Sequence, residues 1–235
     1  PGSGRIFLSQ LGFRPEDPKV FALDYQASSF ALVREEDDRP VLKGAIQGSL
    51  RDSATGLLYW QGDFSQWSEP GRYYLRLADG RRSDAFPIHA DVWREARLLV
   101  LRSFYLQRCG TAIDDPATGI EHPPCHLRDG FIRYADSAYE KDAAVDVTGG
   151  WHDAGDYGKY ISPAAISISM MLLAYELYPD RLSGDRTGIP ESGNGIPDLL
   201  DEIRWELEWM FKMQRPDGAV YHKVGGAAWP GGITL

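Results

Sequence analysis

Near Asp91 the hydrophobic pattern of this chain changes period, from the alternation of a β-strand to the spacing of a helix. That switch constrains the fold more than any other feature, because one layer cannot satisfy both patterns. Upstream, residues 5–13 alternate and break at Pro15, and residues 19–23 and 30–34 read as further strands. An acidic turn runs from Glu35 to Asp38, and residues 71–77 alternate up to the turn Asp79-Gly80. Short strands with regular turn signals predict a β-sandwich over residues 1–90, long enough for an immunoglobulin-like domain, with the boundary between 86 and 93. Residues 91–235 form the second domain. From Val92 to Arg108, apolar residues recur at helical spacing (Ala96, Leu99, Val100, Phe104). A second helix opens at Ser162 and stops before Pro179; it is apolar almost all round, which predicts burial on several sides. A third opens at Pro197, with Asp198, Asp201 and Glu202 near its start, and runs through Trp205 and Met210 to about Met213.

The net charge of −9 argues against a nucleic-acid partner, which would need a basic surface. No apolar run is long enough to cross a bilayer, so no membrane partner is expected. Seven Trp and twelve Tyr exceed what a core of this size needs, and suit a cleft that stacks sugar rings.

Residues 146–160 concentrate the chemistry: Asp153 and Asp156 lie three apart, among glycines, beside Trp151, His152, Tyr157 and Tyr160. Glycines permit tight turns and close approach to a ligand, so such a turn can aim both carboxylates into one cleft. Paired acids with flanking aromatics, and no phosphate-binding loop, point to sugar chemistry. Taken alone, Asp-Ala-Gly-Asp is equally a surface turn.

The two cysteines, Cys109 and Cys125, allow a disulfide or, with His126 and His152, a tetrahedral zinc site. His122, beside Pro123-Pro124, reads as a loop histidine. Residues 189–198 are rich in oxygen ligands; Glu191, Asn194 and Asp198 are candidates for calcium, and equally for a glycine-rich loop with helix-capping acids.

The run Gly149-Gly150-Trp151-His152-Asp153-Ala154-Gly155-Asp156 resembles the signature of glycoside hydrolase family 9, the inverting cellulases. Ser9-Gln10-Leu11-Gly12-Phe13 and Gly62-Asp63-Phe64-Ser65 resemble the immunoglobulin-like domain that precedes some of them. The resemblance implies a catalytic domain shaped as an (α/α)6 barrel, of which residues 91–235 supply only the first part. It implies Asp156 as general base and Asp153 as its partner in holding water. The general acid, a glutamate, would lie outside this chain, in a remainder of the domain expected as a separate or nicked chain. Gln107-Arg108-Cys109-Gly110, Cys125-His126 and Trp151-His152-Asp153 resemble the zinc-binding subgroup, which implies zinc on Cys109, Cys125, His126 and His152. The 190–198 stretch is similar to one that holds calcium in family members. Tyr157, Tyr221, His222 and Trp229 are candidate sugar contacts, each equally a packing or surface residue, and Val220-Tyr221-His222-Lys223 resembles a family loop that borders substrate. The implied protein is a secreted endoglucanase acting on β-1,4-glucan. An exo-acting glucosidase, cellobiohydrolase or glucosaminidase, or a non-catalytic metal-stabilised sugar-binding fragment, are the alternatives.

Overall fold

Alternating residues before Asp91 do pair as strands. In the computed structural model, which describes residues 4–226, the chain divides into two units, Pro1–Arg97 and Leu98–Leu235. The first carries β1 (Ile6–Phe7), β2 (Val20–Leu23), β3 (Ser29–Arg34), β4 (Pro40–Arg51), β5 (Leu58–Asp63), β6 (Gly71–Leu77) and β7 (Phe86–Ile88). Their order is β1-β2-β5-β4-β3-β6-β7, antiparallel throughout. The long strand β4 is the joint. Its first half pairs with β3, from Val33↔Pro40 to Ser29↔Ala45, and its second half with β5, from Ile46↔Gly62 to Arg51↔Leu58. The ladder curls through β4 until its two halves face each other. Phe21 on β2 and Phe30 on β3 meet edge-on with ring centroids 5.0 Å apart, within a core that includes Leu32, Phe64, Leu75 and Phe86. The immunoglobulin-like layer is thus one hydrogen-bonded sheet folded over on itself.

Then follow α1 (Arg94–Tyr105), β8 (Ile113–Asp115), β9 (Ile120–His122), β10 (Lys159–Tyr160), α2 (Ile161–Leu177), α3 (Pro179–Leu182), α4 (Asp198–Lys212) and β11 (Lys223–Val224). Helices α2 and α4 bury Ile168, Met171, Leu199 and Ile203 around Trp151, with Phe104 of α1 packed against them. The expectation that α2 is buried on several sides does not hold among the described residues. Only Ala164, Ile168 and Met171 are buried, while Ile166, Met170, Leu173 and Leu177 are exposed. Trp205 and Met210 of α4 are partly covered. Among the described residues no helix is long and apolar enough to cross a membrane.

Two glycines set the fit of the first core. A Cβ on Gly62 would lie 2.2 Å from the Phe21 ring, and one on Gly44 would lie 2.4 Å from the Phe30 ring. Each phenyl ring therefore lies across the bare backbone of its neighbouring strand. Gly62→Ala or Gly44→Ala overpacks this core and is expected to cost about 1–3 kcal/mol, read as a lower urea midpoint with unchanged slope. An unshifted midpoint would contradict the packing described.

Candidate functional site

A short backbone ladder builds the site. Arg108 bridges Trp151 in antiparallel fashion, the Cys109 amide donates to the Gly150 carbonyl (2.7 Å) and the His152 amide to the Gln107 carbonyl (2.8 Å). This pairing brings Cys109, just after α1, next to His152. The loop beyond β9 returns Cys125 and His126 to the same place, and the four ligand atoms lie within 4.8 Å of one another. Both cysteines are free thiols. The Cys125 sulfur is 3.3 Å from His152 Nε2, while His152 Nδ1 faces the Tyr157 carbonyl at 3.2 Å. A proton on Nδ1 satisfies that carbonyl and leaves Nε2 free as a ligand. His126, held at φ 51°, has a buried Nδ1 with no hydrogen-bond partner. Burial pushes the Cys109 thiol up to about 12 and His152 down to about 4. A pocket of two cysteine sulfurs and two imidazoles, with an orphaned ring nitrogen on His126, fits a soft tetrahedral cation. His122 stands apart from it, against the Pro123 carbonyl.

The turn that follows His152 closes on itself. The Asp153 amide donates to the Gly158 carbonyl (2.8 Å) and the Tyr157 amide to the Ala154 carbonyl (2.9 Å). Asp153 is exposed and Asp156 is half-buried. Asp156 accepts from the Gly158 amide and the Tyr160 hydroxyl, each at 3.3 Å. Gly150 takes φ 76°, and a Cβ there would meet Trp209 at 2.6 Å, so no other residue lets the chain enter the turn along this path. A hollow of about 210 Å³ is lined by Asp153, Tyr160, Trp151 and Glu206.

The four candidate sugar contacts fare differently. Tyr157 sits at φ 56° with its ring edge-on to His152, centroids 4.7 Å apart, so it packs on the metal-type cluster. Tyr221 and His222 line a second hollow of 830 Å³ that includes neither Asp153 nor Asp156. The Tyr221 hydroxyl donates to Asp136 at 2.7 Å. β10 pairs with β11, and the Ile161 amide donates to the His222 carbonyl, which carries His222 to the end of the strand that leaves the turn. Trp229 lies outside the described residues.

The three calcium candidates are engaged within the protein. Both oxygens of Glu191 bind Arg108 (2.9 and 3.1 Å), and the side-chain oxygen of Asn194 accepts from the Ile196 amide. One oxygen of Asp198 accepts from Thr187 and Ser192. These residues brace the loop and the start of α4, and only Oδ1 of Asp198 is left without a partner. Backbone oxygens would have to complete any calcium site at these residues.

Sequence reasoning missed the supports. Arg108, 2% exposed, binds Glu202 through Nε and Nη2, and Glu202 also accepts from Trp151 Nε1 at 2.7 Å. Burial pushes the Glu202 carboxyl up despite Arg108. At Glu191 burial acts in the same direction, but the hydrogen bonds and charge of Arg108 outweigh it and hold that carboxyl down. Buried Lys159 donates to the Val147 and Gly149 carbonyls and pairs with Asp129 at 2.9 Å. The available signal was spacing: Glu202 and Glu206 fall on the stripe of Leu199, Ile203 and Trp209, where a surface helix places no acids.

Known proteins match this chain in sequence and fold. The family model "Glycosyl hydrolase family 9" matches residues 93–229, and "Cellulase N-terminal ig-like domain" matches residues 2–82. Endoglucanase D of Acetivibrio thermocellus is 38% identical over 224 residues, 94% of this chain but 35% of that protein. The chain thus spans little more than a third of that relative. The crystal structure of a metagenome-derived glycoside hydrolase family 9 endoglucanase superposes with a TM-score of 0.91 at 42% identity, over 97% of this chain and 44% of that one. That of the Zn-binding triple mutant of the family 9 endoglucanase J30 gives 0.87 at 39% identity, over 93% and 42%.

Glu206, 1% exposed, turns into the smaller hollow with its Oε2 unpartnered. Burial pushes its carboxyl up to about 8, and neighbouring Glu202 adds to the rise. A carboxyl raised above its unfolded value stabilises the fold fully below that value, and the contribution is lost as pH rises through about 8. Glu206→Gln stays neutral throughout. Between about pH 6 and about pH 9, the Tm of the variant is therefore expected to fall less than that of the parent. Parallel falls would contradict a protonated Glu206.

Proposed function

The chain belongs to glycosyl hydrolase family 9, and from the geometry of its aspartate turn we propose that it forms the front of a secreted enzyme that hydrolyses β-1,4-glucan with inversion. The observation that supports this reading is the closed turn from His152 to Gly158, on which Asp153 is exposed and Asp156 half-buried. Asp156 takes a proton from water as the oxygen attacks the anomeric carbon. Asp153 holds that water, and a glutamate outside this chain protonates the leaving oxygen. Inverting enzymes keep acid and base about 6.5–9.5 Å apart so that water fits between them. Tyr221, His222 and Trp229 are assigned to sugar along the cleft; Tyr157 serves the turn through its packing on His152. The exposed faces of α2 are the seats of the remaining barrel helices. The chain alone is expected to be inactive, since a general acid contributes about 10²–10⁴-fold.

The cluster of Cys109, Cys125, His126 and His152 is assigned to structural zinc. Four protein ligands leave no position for water, so the ion supplies rigidity and no chemistry. Elemental analysis is expected to find one zinc per chain, with absorption-edge distances of about 2.3 Å to sulfur and about 2.0–2.1 Å to nitrogen. Chelation or Cys109→Ser lowers the Tm. A metal-free protein with a Cys109–Cys125 disulfide and the same Tm would end the assignment.

In the complete enzyme, Asp156→Asn is expected to reduce kcat about 10²–10⁴-fold while the Tm stays close to that of the parent. Its carboxylate makes only two 3.3 Å hydrogen bonds, so the fold does not depend on it. Near wild-type turnover on a cello-oligosaccharide would remove Asp156 from the role of base.

A further inference from the structure

The 830 Å³ hollow carries a charge opposite to that of the chain. Arg128, Arg133 and Lys223 line it, and all three are exposed. Among the described residues none of them has a carboxylate within ion-pair distance. The acids on the same wall are engaged: Asp129 with buried Lys159 at 2.9 Å, and Asp142 with Lys141 at 3.8 Å. In a chain of net charge −9, three cations gathered on one wall need a reason that a neutral glucan, bound through hydroxyls and stacking, does not supply.

The wall is also preformed. The loop at 128–145 folds back on itself through the Val145 amide to the Gly130 carbonyl (2.9 Å) and the Asp142 amide to the Ile132 carbonyl (2.7 Å). Asp136 pins its tip to the opposite side by accepting from the Tyr221 hydroxyl and pairing with Arg215 at 3.3 Å. On this frame Phe131 and Tyr134 are 67% and 74% exposed, and the Arg133 guanidinium lies over the Tyr134 ring, 5.6 Å from its centroid. Flat rings beside unpaired cations suit a sugar ring that bears a carboxylate.

We propose that this hollow is a subsite for a glucan unit carrying an acidic group, such as a C6 carboxylate, held by Arg128, Arg133 and Lys223 beside the rings of Phe131 and Tyr134. This rests on the reading of the protein as a glucan hydrolase and adds a charge preference to it. The test is calorimetric titration of the complete protein with a neutral cello-oligosaccharide, its C6-oxidised counterpart and polyglutamate. Exposed pairs are weak singly, so the acidic sugar is expected to bind on the order of tenfold more tightly than the neutral one at low salt. That preference shrinks at high salt, and shrinks about threefold or more in Arg128→Gln and in Lys223→Gln. Equal affinities, a preference that survives both substitutions, or polyglutamate binding as tightly as the acidic sugar would each overturn the proposal. Equal binding of both sugars overturns it alone; binding of neither removes the glucan reading as well.

Discussion

The guanidinium of Arg108 lies between the carboxylates of Glu202 and Glu191, and the second unit is organised around that contact. Through it the end of α1, the loop before α4 and α4 itself meet at one point. Glu202 extends the contact to the indole of Trp151, which sits directly before the metal-type histidine and the first aspartate of the turn. A charge buried this deeply is stable only while its partners are present. Removing one partner of such a group typically costs about 3–5 kcal/mol. The network therefore fixes where the backbone at 150–152 must run, and the ladder to residues 107–109 then fixes its register.

The turn is held from two further sides. On one, His152 belongs to the cluster with Cys109, Cys125 and His126 while its amide pairs with Gln107. On the other, Lys159 gathers the carbonyls of Val147 and Gly149 under Trp209, and Asp129 balances its charge. The two aspartates thus sit on a short segment whose entry and exit are both anchored by buried polar groups. This is the preorganisation that positioning a water molecule requires. Tyr157, whose carbonyl faces His152 and whose ring packs on it, makes the turn and the cluster one assembly.

Much of this was legible in the sequence, for identifiable reasons. Helices α1, α2 and α4 followed from their apolar period, the aspartate turn from a short run of acids and glycines, and the cysteine–histidine set from the family resemblance of three short motifs. The longest strand, β4, was not read, because Gly44 and Gly48 interrupt its alternation; Gly44 is there to make room for Phe30. Arg108, Lys159, Glu202 and Glu206 were passed over because a charged residue in a helix or loop ordinarily faces water. Their burial follows from partners distant in the chain, such as Glu202 for Arg108. The engagement of Glu191 was hidden for the same reason, since it is Arg108 that takes up its oxygens.

The central claim is that Asp156 acts as a base on water, rather than as a nucleophile on the sugar. These two routes give opposite stereochemistry at the anomeric carbon. Proton NMR of the complete enzyme acting on a cello-oligosaccharide, recorded before mutarotation, reads that outcome directly. The account predicts that the new reducing end appears first as the α-anomer. Initial release of the β-anomer would show retention and contradict the role given to Asp156.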